Sequence, residues 1–316
     1  ANRLRMSGGV RFERTQDKGY GVLNNPRAGY ITNAAGQQVL NPDLAARAKA
    51  QYKDRGDIRS KSYDGYYPSF DTSYNVTHNI VARAAYTHTY GRPAFRESIA
   101  VTSFDDVNNT ISTGNPNLNP YNSENWDFSL EYFGKKAAYF QAAFFHKKVE
   151  NQVLESGESF TGVSNFRGLA INPGDIYTYT SFTNQHSSTN WGIELVGRYR
   201  FVTLPAPLDG LYLDSSVTFT DSNGNYADRP GEKLATYGGS EWLWFAGIGY
   251  QKDRLSLLLS YRYRSPYLEG LENVDRQNRD FGLPSNVGDD WWGEEKYVNL
   301  ETSYRLTKAV RAYCNV

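Results

Sequence analysis

Few residues in this chain stand at spacings that chemistry requires. The four histidines, His78, His88, His146 and His186, lie far apart. None forms an HExxH or comparable pair that would set two imidazoles around one metal ion. Cys314 is the only cysteine, which leaves neither a disulfide framework nor a thiolate cluster. No GxSxG elbow, phosphate loop or dinucleotide fingerprint occurs, and nothing in the spacing points to a Ser-His-Asp set. The expectation is a protein without catalytic residues, cofactor or metal.

Two groups of residues do have the types that binding needs. Asp289, Asp290, Trp291 and Trp292 are consecutive. Adjacent acids and indoles suit a sugar, whose apolar ring face stacks on an indole while its hydroxyls donate to carboxylates. The ordinary alternative is an interfacial aromatic anchor beside solvated charges. The second group is dispersed: Arg83, Glu131, Arg198 and Arg262, with Glu194, Asp214 and Glu301, occupy the polar positions of alternating segments. They suit the wall of a polar solute path, or pairing with residues of a further domain.

The elements that carry these residues are strands. The chain has 316 residues, 34 acidic and 34 basic, and a mean hydropathy of −0.64. That balance argues against a nucleic-acid binder, which needs a basic face for phosphates. Aromatic residues are the anomaly: 25 Tyr, 16 Phe and 6 Trp against one Met. No run of eighteen apolar residues exists, so no transmembrane helix is expected. A barrel strand needs apolar residues only at alternate positions, with Tyr and Trp at the two bilayer interfaces. Ala1 to Arg14 already reads as strand rather than as a signal peptide, so a membrane barrel is expected to be a fragment of a longer chain.

Period-2 alternation is clearest from Asn125 to Phe133, where Trp126, Phe128, Leu130 and Tyr132 share one face. A turn at Gly134 leads to a second run through Phe140, Ala142 and Phe144 that reaches Val153. Comparable runs span 3–15, 63–76, 80–90, 193–201, 211–219, 242–250, 255–264, 298–306 and 309–316. The total is about eleven strands of roughly ten residues. Within the connection from Asp17 to Ser62, the spacing predicts a helix over 42–53, with Asn41 as N-cap and Pro42 at N1. Short connections follow Val76, Phe133, Phe201, Tyr250 and Leu306; long ones follow Thr15, Tyr90, Val153, Asp221 and Ser265. All long loops therefore fall at one end. The fold class expected is all-β: an antiparallel transmembrane barrel segment with short periplasmic turns and long extracellular loops. An odd number of strands cannot close a bacterial barrel, and an open edge is costly in lipid, so the segment alone is not expected to insert stably.

Four segments resemble the TonB-dependent outer-membrane receptors. They are NIVARAAYTHTYGRP (Asn79–Pro93), GNPNLNPYNSENWDFSLEYF (Gly114–Phe133), AAYFQAAFFHKKVENQV (Ala137–Val153) and YVNLETSYRLTKAVRAYCNV (Tyr297–Val316). The GNP segment is the most specific, and the order matches the family's. The resemblance implies a barrel of about 22 strands around an N-terminal plug, of which these are roughly the eleventh to twenty-first. Plug, TonB-contacting segment and a final aromatic-ended strand would lie outside residues 1–316. It also implies residence in the outer-membrane lipid of a Gram-negative bacterium. Uptake of a scarce solute, an oligosaccharide or an iron-siderophore, would be energised by the TonB–ExbB–ExbD complex. Trp and Tyr in the loops favour the oligosaccharide on stacking grounds. The competing readings are a passive porin-like or adhesin barrel without a plug, a barrel protease or lipase, and a soluble β-rich carbohydrate-binding protein.

Overall fold

The structure, a computed structural model, describes residues 3–99, 101–105, 107–135, 138–166, 169–226, 229, 231–271 and 289–316. Eleven long strands run through them: β1 (Leu4–Asn24), β2 (Tyr52–Asn75), β3 (Ile80–Gly91), β4 (Tyr121–Phe133), β5 (Tyr139–Phe160), β6 (Tyr177–Arg200), β7 (Leu211–Asn225), β8 (Trp242–Lys252), β9 (Leu255–Arg264), β10 (Glu295–Arg305) and β11 (Arg311–Asn315). Each pairs antiparallel with its neighbour in sequence, giving one continuous meander. The sheet is not closed: among the described residues β1 and β11 do not pair with each other.

The register sorts side chains into two faces. Phe12 opposes Tyr66, Tyr86 opposes Trp126, Phe128 opposes Phe144 and Ile193 opposes Phe219. The Phe12 and Tyr66 rings touch, as do those of Tyr86 and Trp126, and a connected run of rings leads from Phe128 through Phe144, Trp191, Phe219 and Trp242 to Trp244. A second aromatic row, with Tyr132 stacked on Phe140, lies nearer the short turns. Between the rows stand Leu130, Leu195, Ile248 and Leu259, all exposed. From Trp242 to Tyr250 eight steps cover about 26 Å along the strand, which suits the apolar core of a bilayer crossed at a tilt. The opposite face carries Arg83, Glu131, Gln141, Glu194, Arg198 and Asp214, as a wet lumen allows. There Tyr212 lies over its register partner Gly249, where a Cβ would collide with the ring.

The apolar core in the ordinary sense sits outside this belt. Phe104, Ile111, Leu169, Ile171, Tyr177 and Tyr179 are buried together with Phe160 and Phe166 packed against them. They come from the long-loop end, where a hairpin of Thr102–Asp105 and Thr110–Thr113 lays its second strand parallel to the start of β6.

Strand lengths depart from the expectation of roughly ten residues. β1, β2, β5 and β6 have 21, 24, 22 and 24. Their outer halves rise beyond the belt into water, where neither face needs to be apolar. The ladder continues while the hydrophobic alternation stops, so residues expected to be connection (17–24, 54–62, 154–160, 177–189 and 222–225) are strand. The helix is α1 (Leu44–Gln51), shorter than 42–53. Its N-cap is Asp43, whose carboxylate accepts from the Ala45 and Ala46 amides at 2.9 and 3.1 Å. Asn41 instead accepts from the Asp43 amide at 3.0 Å.

Candidate functional site

The long-loop rim over β6 to β10 is cross-braced. The Arg229 side chain, 1% exposed, donates to Asp289 at 2.9 Å and to Glu232 at 2.7 Å; the Asp289 side chain is 3% exposed. The Glu232 hydrogen bond, and then Asp289, hold the guanidinium above even its ordinary high pKa. This pair joins the loop after β7 to the loop after β9. The same two loops meet again where the Gly238 amide donates to the carbonyl of Leu268 at 2.8 Å. Arg264, at the end of β9, donates to Ser240 Oγ and to the Gly238 carbonyl, both at 2.8 Å.

On this frame Tyr267–Gly270 pairs with Asp290–Trp292, setting Tyr267 opposite Trp292. The Trp292 and Tyr267 rings are 17° from parallel at 6.5 Å, and the Arg264 guanidinium lies 3.8 Å over Tyr267. Trp291 and Trp292 are 56% and 48% exposed. As consecutive strand residues they face opposite sides, so the two indoles offer two surfaces rather than one clamp. Asp290 is exposed beside them, whereas the Asp289 carboxylate is engaged by Arg229.

The dispersed lumen residues do not converge. Arg83 and Glu131 form a cross-strand pair at 2.7 Å, with Glu131 buried. Arg198 pairs with Asp214, its register partner. Both pairs lie near the short turns. Arg262 lies near the opposite, long-loop end, over the Phe245 ring at 5.7 Å. Glu194 and Glu301 are exposed on the same face.

A second anchor was not visible in sequence. His186, on β6 beyond Trp191 and so outside the belt, is 5% exposed. Its Nδ1–H donates to the Asn225 carbonyl at 2.7 Å, and its ring lies 4.2 Å from that of Tyr226. Tyr226 in turn donates to the Ala235 carbonyl at 3.0 Å, and burial pushes its hydroxyl pKa up, so it stays neutral. Burial lowers the His186 pKa from the ordinary 6.5. The folded loop therefore holds a neutral imidazole, and the unfolded loop takes up a proton first as pH falls. The stabilisation is complete above 6.5 and is lost as pH drops through the lowered folded value. The protection of amides in residues 231–240, exchange being taken relative to the intrinsic rate at each pH, is expected to be lower at pH 5 than at pH 7, and His186→Phe should remove that difference.

A family model described as TonB dependent receptor-like, beta-barrel, matches residues 1–316. The chain belongs to this receptor family. Its members are transporters and receptors rather than enzymes. Among solved structures, the ferric-catecholate import receptor Fiu of Escherichia coli K12 superposes with a TM-score of 0.60 at 12% identity, covering 100% of this chain and 38% of that one. The hemophore receptor HasR of Serratia marcescens, in complex with its hemophore HasA and heme, gives 0.59 at 14%, covering 99% and 45%. A double mutant of the ferric enterobactin receptor PfeA of Pseudomonas aeruginosa gives 0.60 at 15%, covering 98% and 45%. The chain thus spans less than half the length of these receptors, and the likeness establishes the barrel fold. No curated protein sequence matches the chain.

Proposed function

We propose that this TonB-dependent receptor chain captures a scarce solute at its long-loop rim and belongs to a machine that takes it up actively across a Gram-negative outer membrane. One observation carries the reading: an apolar, aromatic-edged outer belt encloses a charged inner face, with every long loop gathered at one mouth. On this reading the eleven strands are the C-terminal part of a barrel of about 22. A plug domain fills its lumen, the TonB–ExbB–ExbD complex supplies the energy, and Arg83, Glu131, Arg198 and Arg262 line the wall that plug and solute pass. Asp290, Trp291 and Trp292 are the solute-contacting residues of the rim. Their exposed indoles favour an oligosaccharide; the ferric-siderophore and heme ligands of the similar structures are the other class such a rim suits.

The test is uptake by cells that carry the full-length receptor, with and without TonB. A panel of oligosaccharides and ferric siderophores is followed by mass spectrometry of the medium. Receptor-dependent depletion of one panel member, lost without TonB, is the expected result. Depletion that persists without TonB would make the barrel a passive pore and sink the proposal.

A further inference from the structure

On the other half of the rim, the loop between β3 and β4 folds back over the lumen-side face of β1 and β2. It closes a cavity of about 240 Å³, far more than the ~10–15 Å³ that one water needs. The register from Arg11–Tyr67 to Gly21–Asp57 is unbroken. Asp17, Lys61 and Tyr63 therefore share the face of Arg11 and Tyr67, opposite the membrane-facing Phe12 and Tyr66. The cavity opens inward at the mouth.

Two cations, Lys61 and Arg92, and one carboxylate, Asp17, line it, with Phe95, Ile99 and Leu118 as an apolar wall; Lys18 borders it too, but its ammonium lies over the Tyr20 ring on the opposite face of β1. Lys61 donates to the Asn117 carbonyl. Arg92 donates to Tyr90 Oη at 2.9 Å and to Glu13 at 3.4 Å. An ammonium has three donors and a guanidinium five, so these contacts leave both cations with donors to spare. Spare donors beside an apolar wall are what the oxygens of an anion accept from. Burial lowers the Lys61 pKa, the direction that a bound anion would reverse.

Pro116 also lines a second cavity, of about 410 Å³, whose walls include Asn115, Ser156, Glu158, Ser181 and Thr183 and, among the described residues, no Lys or Arg. Its hydroxyl, amide and single carboxylate groups match a neutral polyhydroxylated surface. Building on the reading of this chain as a solute receptor, we infer that the solute is an anion. Its carboxylate seats between Lys61 and Arg92, and its hydroxyl-bearing remainder crosses Pro116 into the neighbouring cavity.

The chemistry could come from an acidic sugar or from a hydroxycarboxylate iron chelate, and the probes separate them. The full-length receptor in detergent is titrated calorimetrically with trigalacturonate, with ferric citrate and with neutral galactotriose. One anionic probe is expected to bind, more weakly at high salt, with galactotriose about tenfold weaker or worse. Lys61→Met and Arg92→Gln should each weaken the anionic probe by about tenfold, while Lys61→Arg retains most of the affinity. The heat-modifiable mobility of the barrel verifies that each variant has folded, and the salt dependence of the unaltered receptor needs no variant. Binding of galactotriose as tight as that of the acids, no binding of either acid, or unchanged affinity in both charge variants would overturn the inference. TonB-dependent uptake that survives any of these outcomes would leave the transport reading standing.

Discussion

Replacing Arg229 by Met is expected to loosen two outer loops at once while leaving the barrel intact. The guanidinium is 1% exposed and Asp289, its partner, 3%. Without Arg229 the Asp289 carboxylate must stay buried with its main counter-charge gone, or the loop after β9 must lift away to hydrate it. Removing one partner of a buried pair typically costs about 3–5 kcal/mol, enough to open a loop segment that global unfolding does not require. Amide exchange is expected to rise sharply in 231–240 and 265–271 and to stay unchanged in β3 to β5. Solute capture by the receptor should fall with it, because the Tyr267–Trp292 stack is built on the same loop. The double variant Arg229→Met, Asp289→Leu removes both charges and should recover most of the loss, since a buried pair replaced by apolar groups is often neutral. Equal exchange in Arg229→Met and the unaltered receptor would show that the loops do not depend on this pair.

How much of this was legible in the sequence depends on the solvent each residue meets. Between the aromatic rows every strand has lipid on one side and water on the other, so the alternation of Trp126, Phe128, Leu130 and Tyr132 with Asn125, Asp127, Ser129 and Glu131 could be read directly. The same holds for the short turns and for the gathering of long loops at one mouth. Above the rows both faces are wet, and the outer halves of β1, β2, β5 and β6 are held by backbone ladders that any polar residue can form. Pattern alone gave no sign of them. The site was less legible. Asp289 to Trp292 stand out by composition, but in the structure Asp289 is bound to Arg229, sixty positions earlier, and the two indoles face apart. Lys61, Arg92 and Asp17 come together only because the loop after β3 folds back across β1 and β2. His186 and Arg229 carried no local signal, since what makes each important is its burial by a distant loop.

Leu195 and Val196 are neighbours on β6, both apolar, and hydropathy cannot rank them. The register can. Leu195 opposes Ala142 and Val217 on the aromatic face and is 53% exposed. Val196 opposes Gln141 and Ser216 on the charged face, between Glu194 and Arg198. Leu195 also lies between the two aromatic rows, bounded on its own strand by Trp191 and Tyr199, close to the bilayer midplane. There an arginine on the lipid face costs about 2–4 kcal/mol, because neither interface is within easy reach of the guanidinium. One position later, Val196→Arg would place the same group in a wet lumen beside Glu194, at a cost of ~0.5 kcal/mol, as for an ordinary surface change. The full-length receptor, unfolded by urea from lipid vesicles, should show a lowered midpoint for Leu195→Arg and a nearly unchanged one for Val196→Arg. The reverse order would put lipid on the charged face, which its ion pairs make untenable. Equal, small effects would mean that neither face meets lipid, and the belt would then have to be covered by protein instead.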